Sequence, residues 1–570
     1  MGAKAVQFSF DFAEQRVFDP KLYTVAARSS GEAHGVVLTK PHIVELMLDL
    51  VGYDARENLT RRRLLEPSVG HGAFLRLAVR RLMSSALRHG VPAASLDRCI
   101  VAMDIDAGSV AVARETVADE LHLLGVSRQI AARLCSNWIQ HGDFLLHTSD
   151  ELYDVVIGNP PYVRIEHVHI ELQREYRSRF QTVFDRADLY VPFIEHGLSL
   201  LKPTGRLSYI CSDRWTLNKY GAPLRNLMTS EYAVQEYVDL HNASPFESDV
   251  NAYPCIFVVG RTAPSEGVRV ATLTRADEAE VQQLRDELAA PSSCPSQKRH
   301  AFEVHQEWFR GDDPWIIRAP DSLALLRKLE TMFAPLAETC RPGIGVATGN
   351  DSLFIVRGDC EIEPDRLLPL VMRENLVQGR IQNVDRSVIN TFPDGRGALE
   401  LDQYPRLRAY LMKHEAAIRR RHVSGRNAVH WYRTIDRVYP ELTRVPKLLF
   451  PDICATPTVV LDRGEYYPHH NLYYVTSELW DIEVLGALLS SCVTMFFMRA
   501  YSVKMRGDFV RFQAQNLRRL RLPAPTSLAN DHRAALATAF RAQDRAEIDR
   551  LACKAYGLSD AEMGIVLANQ

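Results

Sequence analysis

The chain has 570 residues, 46% hydrophobic and 24% charged, with 30 glycines and 29 prolines; this balance, at two to three domains' length, excludes disordered, collagenous and coiled-coil architectures. Lys and Arg total 68 against 70 Asp and Glu, a formal net charge of -2, so any nucleic-acid surface has to be a local basic patch. The ten cysteines stand singly, with no CxxC pair and no histidine at zinc spacing, which argues against a zinc ribbon or a disulfide framework and leaves no metal expected.

Residues 1–35 read as an N-terminal extension without the basic and apolar regions of a signal peptide. From Arg61 to Arg261 short β-rich runs alternate with amphipathic helical stretches, the pattern of a mostly parallel α/β sheet. The predicted strands are Arg63–Glu66, Cys99–Ile105, Trp138–His141, Tyr153–Gly158 and Arg206–Cys211; helical runs Ala73–Leu87, Ser109–Leu124 and Asp188–Leu201 lie between them. Two further runs, Val234–Leu240 and Tyr253–Val259, follow without a full helix between them. They predict a hairpin that puts an antiparallel strand at the end of the sheet. Residues 36–265 thus form one expected domain, and the Ala/Ser/Pro/Glu-rich 266–300 an expected linker. Residues 301–570 are mixed α+β and Arg-rich: between Tyr404 and Lys447 eleven Arg and Lys face three acids. The longest apolar run, Val484–Met498, is too short to span a bilayer. A soluble, cytoplasmic monomer that contacts no membrane is expected.

The most specific short signal is Asp154-Val-Val-Ile-Gly-Asn159-Pro160-Pro161-Tyr162. An apolar strand delivers an Asn and an aromatic to its carboxyl end, where open α/β sheets place their ligand crevice. Two prolines fix the backbone and remove two donors, so the Asn159 amide and the Pro160 carbonyl become a rigid acceptor pair suited to a planar NH2 group. Tyr162 offers a face on which to stack the ring bearing it. Upstream, Glu66-Pro-Ser68-Val-Gly70-His-Gly72 is a strand end and a glycine turn before a helix. A nicotinamide-binding turn would want a third glycine where Leu75 stands, and has no use for Glu66. A carboxylate there suits a cationic amino-acid moiety. Asp104, at the end of the next strand, is placed for a ribose diol, while Asp143 and Phe144 are placed for an adenine's amino group and face. Each acid alone also reads as a helix N-cap.

In this order, with Thr39-Lys-Pro41 ahead, these motifs resemble the S-adenosylmethionine-dependent DNA N6-adenine methyltransferases of the TaqI type, the gamma arrangement found among type II restriction-modification methylases. The likeness continues in Ala187-Asp-Leu-Tyr190, in Leu207–Ser212, and, past the linker, in Gly343–Phe354, Trp431-Tyr432 and Gly507–Phe512. It implies a Rossmann-like catalytic domain followed by a DNA target-recognition domain. It assigns Thr39, Glu66, Ser68, Gly70, Asp104, Ile105, Asp143, Phe144, Asn159 and Pro161 to S-adenosylmethionine, and Asn159, Pro160, Tyr162 and Phe246 to catalysis on a flipped-out adenine. Phe246 matches by its place in the turn before the last hairpin strand, and as an exposed turn residue it would equally pack locally.

The partner implied is double-stranded DNA, with a cognate restriction endonuclease as a further candidate. Arg419, Arg420, Arg421 and Arg426 are the expected DNA contacts, and Arg506 and Arg511 the next; a solvated helix face is the competing reading of such a run. Three other functions compete: a methyltransferase acting on RNA or on protein glutamine, a DNA-binding subunit of a defence complex without activity, and a fused restriction-methylation enzyme. Residues 301–570 disfavour the first, the intact Glu66 and Asn159-Pro-Pro-Tyr162 the second, and the brevity of residues 1–35 the third.

Overall fold

A computed structural model describes residues 37–568, apart from 242, 249–252, 264–266, 290–301, 306–310, 317–318, 359, 394–398, 422–423, 425–428 and 503–508. The chain divides into two compact units, Met1–Trp315 and Ile316–Gln570. The expected residues 1–35 extension and Arg426 and Arg506 lie outside the described residues.

The first unit is built on a nine-stranded sheet. In chain order its strands are β1 (Leu64–Glu66), β2 (Ile100–Asp104), β3 (Ile139–His141), β4 (Tyr153–Gly158), β5 (Leu201–Ser212), β6 (Ala233–Asp239), β7 (Pro254–Gly260), β8 (Val268–Thr272) and β9 (Glu303–His305). Their order across the sheet is β3-β2-β1-β4-β5-β7-β6-β8-β9. β1 to β5 run parallel. β4 is buried nearly throughout because helices cover both faces of such a sheet, which is why Val-Val-Ile shows no alternation. Two strands run antiparallel to the others, β7 and the edge strand β9; β7, the one the expected hairpin supplies, is not terminal. It inserts between β5 and β6, pairing Arg206 with Gly260 and Ser212 with Pro254.

The expected linker is a second correction. Residues 268–272 pair in parallel with β6, and the helix Glu278–Ala289 returns to pack on the helix Pro41–Leu50. Polar, half-exposed edge elements have linker-like composition, so the pattern there carried little signal. The core that seats these elements runs from Ile43, Leu46 and Met47 through Leu75, Leu82 and Trp138 to Val258, all buried. Because β1 to β4 are parallel, Glu66, Asp104, His141 and Gly158 all end at one edge.

The second unit is mixed α+β. One four-stranded antiparallel sheet orders Arg341–Ile344, Leu472–Thr476, Lys447–Pro451 and Val460–Asp462; a second, mixed sheet orders Ile355–Arg357, Arg386–Ile389, Leu367–Val371 and Tyr467–Pro468, the last pair parallel. The apolar run Val484–Met498 forms two buried helices, Ile482–Ser490 and Cys492–Tyr501, bent by 62° at their junction. Among the described residues no single helix is long and apolar enough to cross a membrane.

Candidate active site

β1 releases the chain at Glu66 into a turn in which Gly70 and Gly72 adopt φ of +50° and +85°. Those left-handed values are what glycine permits without strain. The helix Ala73–Arg88 starts directly behind. Asp104 at the end of β2 stabilises the turn: one carboxylate oxygen accepts the Gly70 amide at 2.9 Å and the other the Asp106 amide at 2.9 Å. Asp104 is therefore first an organiser of the loop. Burial, above all, raises its pKa. Ile105 follows, its carbonyl hydrogen-bonded to the His141 ring at 3.0 Å.

Glu66 is the electrostatic anomaly of the unit. It is 1% exposed, and neither carboxylate oxygen has a hydrogen-bond partner among the described residues. Burial and then the neighbouring Asp104 push its carboxyl well above the usual carboxylate range; the Leu75 amide opposes this from a position short of hydrogen-bond geometry. A buried acid without donors is costly unless a cation or donor-rich ligand joins it.

Asn159 follows β4. Its side-chain NH2 donates to the Val37 carbonyl at 3.0 Å and to the Thr39 hydroxyl at 3.4 Å, which leaves Oδ1 as a buried acceptor with no donor among the described residues. The Ser68 hydroxyl ties the β1 loop to the same place by donating to the Asn159 carbonyl at 2.9 Å. Residues 38–40 also hold the hairpin turn: Thr39 bridges Phe246, the Lys40 amide donates to the Pro245 carbonyl, and the Glu247 amide to the Leu38 carbonyl. Phe246 thereby arrives beside Tyr162, ring centroids 6.2 Å apart and planes at 87°. It is 4% exposed, so the exposed turn residue expected from the sequence is corrected: the Leu38–Lys40 segment covers it. Pro160 is buried, Pro161 and Tyr162 partly so.

Asp143 and Phe144 need the second revision. The Asp143 oxygens accept the Leu145 amide at 2.9 Å and the Tyr176 hydroxyl at 2.5 Å. Burial, chiefly, raises its carboxyl pKa. Phe144 is 2% exposed and packs on Phe193 and His196 at 5.1 and 4.5 Å, so it forms the floor of this region and offers little free ring face.

Two neighbours, Tyr176 and Tyr220, gave no sequence signal, and a third, Tyr190, gave one only through its motif. Tyr176 sits mid-helix in Ile170–Arg179, and only the fold brings it to Asp143. Tyr190 stands edge-on to Tyr162 at 6.2 Å, its hydroxyl held by Tyr220 at 2.7 Å and Asp188 at 3.0 Å. The Ala187-Asp-Leu-Tyr190 motif pointed to this place, but nothing in the sequence pointed to Tyr220.

In the second unit the arginine run splits. Arg421 is 8% exposed; it donates to the carbonyls of Ile418, Thr348, Trp431 and Arg433 and lies 4.5 Å over the Phe354 ring. Lys447 is fully buried against Asp462 at 2.7 Å. Neither belongs to a DNA face, because both are committed to the interior. Arg419 pairs with Glu415 at 2.6 Å and covers Trp431, Arg420 is exposed, and Arg511 pairs with Asp452.

Strand order, the glycine turn and the two orphaned acceptors at the strand ends define a catalytic unit of the Rossmann-like methyltransferase class. Comparison with known proteins narrows this. Residues 98–246 match the model of the Eco57I restriction-modification methylase family. Type II methyltransferase M.BstVI of Geobacillus stearothermophilus is 42% identical over 557 residues, covering 95% of this chain and 99% of its own. Type II methyltransferase M.PaeR7I of Pseudomonas aeruginosa is 41% identical, covering 96% and 95%. The chain belongs to the type II restriction-modification methyltransferases and is a DNA methyltransferase. Among solved structures, the type IIL restriction-modification enzyme MmeI in complex with DNA superposes with a TM-score of 0.59 at 12% identity, covering 93% of this chain and 75% of MmeI.

Proposed function

We propose that the protein transfers the methyl group of S-adenosylmethionine to N6 of an adenine flipped out of duplex DNA, protecting host DNA against a cognate restriction endonuclease. The observation that carries this reading is the buried Asn159 Oδ1, without a donor among the described residues, in the loop where Tyr162 meets Phe246. It is an acceptor prepared for an NH2 group next to rings prepared for a base.

The cofactor fits the residues present. Glu66 is a buried carboxylate in want of a cation, which the α-ammonium of the methionine moiety provides. Ser68 and the Gly70–Gly72 turn bring backbone close beside it, and Asp104, Ile105, Asp143 and Pro161 line the same strand edge. Bound there, S-adenosylmethionine supplies an electrophilic sulfonium methyl. The chain does the rest. Adenine N6 is a poor nucleophile because its lone pair is delocalised into the ring. Asn159 Oδ1 and the Pro160 carbonyl, accepting both amine hydrogens, favour a pyramidal nitrogen and stabilise the charge that develops on it. This is electrostatic preorganisation, and no covalent intermediate is needed. Extrusion of the base costs a few kcal/mol. Stacking on Tyr162 and Phe246, at about 1–3 kcal/mol per base, offsets this. Since the two rings stand perpendicular, a base stacked on one of them meets the other edge-on.

The test is long-read sequencing of DNA from cells expressing the protein. N6-methyladenine in one sequence context, absent with Asn159→Ala, is expected; a modified cytosine or an unmodified genome refutes the reading.

DNA recognition falls in this proposal to the second unit, through exposed arginines such as Arg420. Arg420→Glu should leave the melting temperature unchanged and make the slope of log K against log[salt] shallower by about 1. Arg421→Ala should instead strand buried carbonyls and destabilise the unit by about 3–5 kcal/mol in chemical denaturation. Equal behaviour of the two variants would show that burial does not separate them.

A further inference from the structure

We propose that Asp351, His469 and His470, in the second unit, form a binding site for one divalent transition-metal ion of the zinc class. The potential ligand atoms of the three lie within 4.8 Å of one another. They come from two segments 118 residues apart in sequence, a separation at which no spacing motif announces a site.

The backbone fixes both segments. His469 is bridged to Val346, its amide donates to the Val371 carbonyl, and the His470 amide donates to the Val346 carbonyl at 3.0 Å. The approach is close enough that a Cβ on Gly345 would fall 2.2 Å from the His469 carbonyl oxygen. Asp351 is oriented by the Thr348 hydroxyl, which donates to Oδ1 at 2.6 Å, so that Oδ2 meets His469 Nε2 at 3.0 Å.

The two nitrogens of His469 have different surroundings. His469 is 3% exposed, and its Nδ1 has no hydrogen-bond partner among the described residues. Nε2 is the nitrogen that faces Asp351 Oδ2, so it is the His469 ligand atom; on metal binding its proton leaves, Nδ1 carries the ring N–H, and Oδ2 turns from hydrogen-bond acceptor to ligand. The His470 ring lies 4.1 Å from that of His469. Asp351, Asp436 and Asp452 lie near enough to His470 to bring negative charge to the site. Burial opposes ionisation of Asp351, but the Thr348 and His469 contacts outweigh it and lower its pKa.

Two imidazoles and one carboxylate suit zinc, cobalt or nickel and disfavour magnesium. Zinc–ligand distances of about 2.0–2.1 Å require the side chains to close in by about 1 Å. Asp351 is 43% exposed at its side chain and His470 is at the surface, so the fourth position opens to solvent and accepts water or an anionic oxygen. The ion would lock the 346–351 turn to the strand end at 467–470.

The test uses untagged full-length protein, stripped with a chelator and titrated with Zn2+ by calorimetry and with Co2+ by visible absorption. One ion per chain is expected, with the intense visible bands of a low-symmetry Co2+ site and a melting temperature raised by about 5 °C at saturation. His470→Ala, a surface change, and Asp351→Asn, which keeps side-chain size, should each weaken binding at least tenfold and remove the thermal shift. Zn2+ binding that is not stoichiometric, or that His470→Ala leaves intact, overturns the proposal.

Discussion

Replacing Asn159 with alanine is expected to lower the rate of methyl transfer by a factor of about 100 to 1,000, equivalent to about 2.7–4 kcal/mol of transition-state stabilisation. The magnitude follows from what Oδ1 is. It is buried, already oriented by the Nδ2 contacts to Val37 and Thr39, and has no donor among the described residues. An acceptor prepared in this way costs no reorganisation when charge develops on the amine. Cofactor affinity should change much less, because Glu66 and the glycine turn stay in place. Asn159→Asp separates orientation from charge: its oxygens cannot donate to Val37, so the 37–40 segment and with it Phe246 loosen, and the KM for DNA should rise as well. Single-turnover transfer of labelled methyl, with cofactor binding measured by calorimetry, distinguishes these outcomes. Retention of more than about a tenth of the wild-type rate, a loss below about 1.4 kcal/mol, would remove Asn159 from the chemistry.

The catalytic edge was readable because parallel strands write themselves plainly. β4 was legible to the residue, since a strand buried on both faces is an unbroken apolar run ending where Gly158 hands over to Asn159. The missing helix between β6 and β7 likewise announced the antiparallel strand, although not that it slots inside the sheet beside β5. Weak edge strands were the failure: β8 is five residues without clear alternation inside the linker-like stretch, and β9 is three residues just beyond it, in sequence assigned to the second domain. The arginine run misled for a related reason. A count of charges does not reveal that Arg421 is consumed by carbonyls or that Lys447 is paired in the core. Phe246, likewise, is covered by a segment 200 residues upstream, a contact that no local pattern encodes.

Glu66→Gln should move stability and cofactor affinity in opposite directions. In the free enzyme the Glu66 carboxyl is held well above its ordinary pKa by burial and by Asp104. The folded state therefore keeps a proton that the unfolded chain releases above about pH 4.3, and the stability contributed by this group falls as pH rises from there through the raised folded value. Glutamine has no proton to lose and fills the same volume, so the variant should melt higher than the wild type near neutral pH, with a flatter pH dependence. Its S-adenosylmethionine Kd should nevertheless rise at least about tenfold, or about 1.4 kcal/mol, because the charge-assisted bond to the ammonium is gone. The wild type carries a further signature. Where Glu66 is still partly protonated, cofactor binding must expel the proton, so the apparent binding enthalpy should depend on the ionisation enthalpy of the buffer, and that dependence should vanish in Glu66→Gln. A variant that binds cofactor as tightly as the wild type, or that melts lower across the whole pH range, would show that Glu66 serves the fold and not the cofactor.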